Sequence, residues 1–135
     1  MPHHAGSCLC GEVRFEIEGD FESFFLCHCS RCRKDSGSAH GANLFSSTAR
    51  LTWLTGRDNI RTFQLPGTRH AKTFCAACGS ALPREEMEGE FLVVPAGSLD
   101  SELSLRPSAH ICVTSRASWD ERLEEVVEIT GLPGA

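Results

Sequence analysis

Positive charge is in short supply in this chain: 13 Lys and Arg stand against 18 Asp and Glu, a formal net charge of −5. A nonspecific nucleic-acid binder normally carries a basic excess, so that class is disfavoured. Long apolar runs are missing too. None approaches the roughly 20 residues that span a bilayer. The opening Met1-Pro2-His3-His4-Ala5-Gly6-Ser7 offers no apolar segment for a secretory signal. A cytoplasmic protein without a membrane or nucleic-acid partner is the expectation. Linkers, repeats and low-complexity stretches are also lacking, and 135 residues is the size of one domain, so 1–135 is expected to fold as a single unit. With 41% hydrophobic and 23% charged residues, the composition argues against disorder.

Against these absences stand eight cysteines: Cys8, Cys10, Cys27, Cys29, Cys32, Cys75, Cys78 and Cys112. Seven fall in three tight clusters. Cys112 stands alone and is expected in the core as a small apolar residue. Disulfides rarely persist in a reducing compartment, where clustered cysteines more often bind metal or act in redox chemistry. Cys8-Leu9-Cys10-Gly11 and Cys75-Ala76-Ala77-Cys78-Gly79 both end in Cys-Gly. A glycine there lets the backbone turn with φ > 0 and aim N–H groups at sulfur. Two such turns facing each other would make a closed site of four thiolates around zinc, a structural one.

Cys27-His28-Cys29-Ser30-Arg31-Cys32 then remains for a second ion. Three ligands leave zinc's fourth position open, as in catalytic sites. Alternatively His28, His40, His70, His110 or Cys112 closes it. A grouping of Cys8, Cys10, Cys27 and Cys29 ranks lower, because it strands Cys32 and leaves Cys75 and Cys78 without two partners. A redox role for Cys75 and Cys78 would need a thioredoxin-like βαβ context, which the pattern does not supply.

The rest of the chain reads as short strands with frequent turns. Val13, Phe15 and Ile17 alternate with charged residues, the period of a half-buried strand. Phe24-Phe25-Leu26 leads into Cys27. Ser30 is expected to cap a helical turn that runs to about Asp35 and ends at Gly37. Strands are also expected around Leu51 and Trp53, Phe63 and Leu65, Thr73-Phe74, Phe91 to Val94, and Ile111-Cys112-Val113. Glu85 to Glu90 reads as a charged turn. Ser118-Trp119-Asp120-Glu121 fits a capping box, with Leu123, Val126 and Val127 at helical spacing behind it. The fold class is therefore mainly β.

The motifs Cys8 to Phe15, Cys27 to Lys34 with Ser36-Gly37, and Phe74 to Ser80 resemble the glutathione-dependent formaldehyde-activating enzyme family, which includes the centromere protein V-like proteins. Pro107 to Ile111 with Trp119 resembles the family's ending. The resemblance implies a β-tent fold of short antiparallel strands with short helical segments. It implies a structural zinc on Cys8, Cys10, Cys75 and Cys78 and a second zinc on Cys27, Cys29 and Cys32, the site whose three ligands suit catalysis. It implies a carbon–sulfur lyase that condenses glutathione and formaldehyde reversibly to S-hydroxymethylglutathione. Cys112, after His110-Ile111, departs from the aromatic residue that many members carry.

On this reading His28 or His110 would move the proton to or from the developing alkoxide. Arg31, with Arg33 and Lys34, would receive the carboxylates of the thiol. The rival reading is a noncatalytic, zinc-stabilised binding module of the same fold, since fold alone does not fix function. A protein side chain as fourth ligand of the second ion would favour the rival.

Overall fold

Strand β2, Arg14–Glu18, turns the alternation of the sequence into a buried face. Phe15 and Ile17 are fully buried, while Arg14 and Glu18 face out. The strand pairs antiparallel with β1, His3–Ser7, on one side and with β5, Arg50–Thr55, on the other. Register places Phe15 opposite Trp53, and their rings meet edge to face with centroids 5.8 Å apart. The computed structural model describes residues 2–134.

A second sheet holds β3, Ser23–Cys27, and β4, Gly41–Ser46, with β9, Arg84–Glu86, β10, Phe91–Pro95, and β11, Ala109–Ile111. Its order is β11-β3-β4-β10-β9. All pairs are antiparallel except β11 with β3, where His110 lies beside Leu26 and Ile111 beside Cys27. The third sheet is β6, Ile60–Gln64, β7, Ala71–Cys75, and β8, Ala81–Leu82. The fold is mainly β.

One core joins the three sheets. Val13, Phe15, Ile17, Phe24, Leu44, Leu82, Leu92 and Val94 form it, and Cys8 and Cys75 belong to the same cluster. In β10, Leu92, Val93 and Val94 are all buried, so side chains on both faces of the strand are covered. A strand covered on both faces loses alternation and reads as an apolar run.

The one α-helix among the described residues, α1, spans Ser30–Ser36. Its N-cap is Cys29, not the expected Ser30: the Cys32 N–H donates to Cys29 Sγ at 3.4 Å. Gly37 closes it with φ 64°. No helix is long and apolar enough to cross a membrane among the described residues.

Four expectations are corrected. The helix expected behind Ser118 is a single 3-10 turn, Leu123–Glu125, after which Val126 is extended. Val126, Val127 and Ile129 are β-branched and disfavour helix. They are also exposed, so no packed face stabilises one. Cys112 lies on the surface in the left-handed region, φ 57°, instead of in the core. That conformation ends β11 at Ile111, so the strand expected through Val113 stops two residues earlier. The charged turn expected over 85–90 is strand up to Glu86, paired with β10.

Candidate metal centres and a cavity

Cys8 and Cys10 lie in the loop between β1 and β2; Cys75 ends β7 and Cys78 precedes β8. Their four Sγ atoms lie within 4.8 Å of one another. Cys8 and Cys10 are 3.5 Å apart and Cys10 and Cys75 3.9 Å. A disulfide would need about 2.05 Å. Sulfurs on a tetrahedron with 2.3 Å metal–sulfur bonds stand about 3.8 Å apart. All eight cysteines are free thiols. Sulfur clusters of this spacing fit a metal ion.

Both turns use glycine as the sequence predicted. Gly11 and Gly79 have φ of 82° and 76°. Their N–H groups donate to the carbonyls of Cys8 and Cys75, closing each loop. The Val13 N–H donates to Cys8 Sγ at 3.2 Å. Backbone N–H groups of Ser80 and Cys10 bring the Cys78 thiol down to about 6, ready to ligate as thiolate.

The second cluster forms where β3 runs into α1. Cys27 ends the strand, Cys29 caps the helix and Cys32 sits in its first turn. The three Sγ atoms again lie within 4.8 Å of one another, and no fourth Cys, His, Asp or Glu joins that group among the described residues. Burial, followed by the neighbouring Cys27 and Cys29 thiols, pushes the Cys32 thiol above its ordinary value. Three crowded thiols resist ionising together, and a cation between them removes that conflict.

Cys27 and Cys32 line a cavity of about 460 Å³. Phe45, Leu82 and Ile111 give it apolar walls; Asp35, Asn43, His70, Lys72 and Arg84 give it polar ones. His70 Nε2 and Asp35 Oδ2 are 2.8 Å apart. Lys72 Nζ donates to the Asp35 carbonyl at 2.9 Å and lies 3.3 Å from Asp35 Oδ1. A larger groove, about 860 Å³ beside β5, β6 and β9, contains no cysteine or histidine in its walls. A third cavity, about 530 Å³, touches Cys8 of the four-thiol cluster, and the 460 Å³ cavity is the one that meets the three-thiol cluster.

His28, His110 and Arg31 lie outside these walls. Cys27 and Ile111 are register partners that both line the cavity. Alternation along a strand turns their neighbours in sequence the other way. His28 is buried, with Nε2 2.8 Å from His110 Nδ1 and Nδ1 3.2 Å from Asp120 Oδ2. Burial holds the His28 ring below its ordinary pKa, with Arg116 adding to the effect. Arg31 is exposed on α1. Asp35 and Lys72 escaped the sequence reading, and His70 entered it only as a possible ligand. One signal was available: His70 and Lys72 are two apart around a strand, so they share a face.

Comparison with known proteins gives the following. The family model described as glutathione-dependent formaldehyde-activating enzyme matches residues 3–115. A protein of Halomonas elongata, whose name assigns it provisionally to the same family, is 33% identical over 126 residues. The match covers 86% of this chain and 78% of the relative. A crystal structure of a Rhodobacter sphaeroides protein is 28% identical with a TM-score of 0.58. That match covers 78% of this chain and 98% of the other.

Proposed function

Since the chain belongs to the glutathione-dependent formaldehyde-activating enzyme family, we propose that it condenses a small thiol such as glutathione with formaldehyde or a related small aldehyde, reversibly. On this reading it is a cytoplasmic carbon–sulfur lyase, and the whole chain is a single domain of the β-tent kind. Cys8, Cys10, Cys75 and Cys78 hold a structural zinc; Cys27, Cys29 and Cys32 hold a second. Thiolate donors at tetrahedral spacing suit zinc.

The observation that carries the proposal is the three-thiol cluster opening on a cavity of about 460 Å³. That volume lies within the range of small-ligand pockets, about 300–1,000 Å³. A zinc ion held by Cys27, Cys29 and Cys32 would supply Lewis acidity that favours the thiolate form of an incoming thiol at neutral pH. The chain's own residues do the rest. Cys27, Cys29 and Cys32 fix the reacting end. Arg84, in the cavity wall and paired with Glu86 at 2.7 Å, is the cation assigned here to the carboxylates of the thiol, the task expected from sequence of Arg31 with Arg33 and Lys34. Phe45, Leu82 and Ile111 shield the aldehyde from water. Holding both reactants makes an encounter into a positioned reaction.

The test is thiol-dependent interconversion of formaldehyde and its glutathione adduct, followed by exchange NMR on protein of known zinc content. Two zinc ions per chain and accelerated exchange are expected. A protein with two zinc ions that leaves a panel of thiol–aldehyde mixtures at their uncatalysed rates would favour the noncatalytic binding module.

A further inference from the structure

The thiol that enters the cavity must lose a proton, and the aldehyde oxygen must gain one. Beyond the sulfurs, the cavity contains one imidazole, His70. Its Nε2 faces Asp35 Oδ2 at 2.8 Å. A carboxylate only accepts, so Nε2 carries the hydrogen, and in the neutral ring Nδ1 has the lone pair. Nδ1 makes no hydrogen bond to another described residue, and the side chain is 19% exposed. Asp35 is in turn held by Lys72, which bonds both its carbonyl and its carboxylate. The ring is thus fixed in one tautomer by a group that is itself fixed. His28 and His110 lie outside the cavity walls.

We propose that His70, oriented by Asp35, carries the proton from the incoming thiol to the aldehyde oxygen. The proposal rests on the function argued above and supplies its proton path. His70 Nδ1 takes the thiol proton and the imidazolium is stabilised by Asp35. The sulfur electron pair forms the sulfur–carbon bond as the carbonyl π pair moves to oxygen. The imidazolium then returns its proton to that oxygen. Thiol plus aldehyde becomes the hydroxyalkyl thioether, and His70 ends neutral, with no other reactant needed. The reverse direction uses the same steps backwards.

The experiment compares wild type, His70→Gln and Asp35→Asn in the exchange assay, with zinc counted in each. His70→Gln should keep both zinc ions and lower kcat on the order of 100-fold, the usual scale of general acid–base catalysis. KM should change less than kcat. Asp35→Asn should lower kcat less and, by 15N NMR, release the ring from its Nε2–H tautomer. Added imidazole should restore part of the rate to His70→Ala. An active wild type with His70→Gln at full kcat, or with its loss confined to KM, would overturn the proposal. If His70→Gln loses zinc or fails to fold, Asp35→Asn and the tautomer signal decide alone. A wild type without activity removes the reading of function, and the proton task falls with it.

Discussion

Asp120 reaches back from the C-terminal segment to meet His28 beside two of the clustered cysteines. His28 Nδ1 and Asp120 Oδ2 are both buried and stand 3.2 Å apart, with Arg116 Nε 3.7 Å from the same carboxylate oxygen. Removing Asp120 leaves His28 Nδ1 unpaired in the interior, at a cost of about 1–3 kcal/mol. Asp120→Ala should therefore lower Tm by several degrees, read in a thermal melt with both metals present; an unchanged Tm would mean water already serves these atoms. A milder effect belongs to Glu22, whose carboxylate accepts from the Ser47 hydroxyl and from the Ser47 N–H at 2.7 Å. The Ser47 hydroxyl chiefly lowers its pKa below 4.5. A depressed carboxyl stabilises the fold above its unfolded value and loses that contribution as pH falls through the folded one. Wild type should thus exceed Ser47→Ala in stability above pH 4.5, and the gap should close in more acid solution. Denaturant midpoints across pH 2–6 would reveal a gap that ignores pH, contrary to this assignment.

Helix α1 has seven residues, too few to hold together in water on its own, where about 12–15 are needed even for good formers. No residue of it is buried. Its anchors are the sulfurs, with Cys29 at the cap and Cys32 in the first turn, and Asp35, held by His70 and Lys72. Loss of the second ion, in Cys32→Ser or under mild chelation, removes the first anchor and should melt α1 while the sheets stay folded. Hydrogen exchange should show lost protection over 30–37 alone, and retained protection there would mean that the Asp35 pairs and β4 packing suffice to hold the helix. The element scale also shows how much could be read from sequence. β2 was legible because one face is buried and one wet. The cysteine groups were legible because each turn is local and glycine marks it. β1, β4 and β9 were not, since their pairing partners, not their own pattern, make them strands. The helix expected after Ser118 failed because helical spacing without a surface to cover stabilises nothing. The cavity walls were hidden for a related reason: Asp35, His70 and Arg84 come from α1, the approach to β7, and β9, and only the assembled sheets bring them to Cys27.

At the scale of the whole molecule the proposed function gives the two clusters different tasks. Cys8 and Cys75 are both in the core, and the first cluster ties the β1–β2 loop to the third sheet across 65 positions. Closing a loop of that length costs roughly 4 kcal/mol by the logarithmic law. A structural zinc site supplies about 10 kcal/mol or more, comparable to the total stability of a domain, about 5–15 kcal/mol. The second cluster spans only six positions and closes almost no loop. Chelator titration should then proceed in two stages. The first ion to leave takes the activity and α1 but leaves sheet circular dichroism intact. The second leaves with the fold. Cys32→Ser should be a folded protein with one zinc, inactive, showing only the second stage. Cys75→Ser should be recovered unfolded or aggregated. A single cooperative stage in wild type, or comparable unfolding in the two variants, would mean that both ions are architectural, and the three-thiol cluster would no longer be free to bind a substrate thiol.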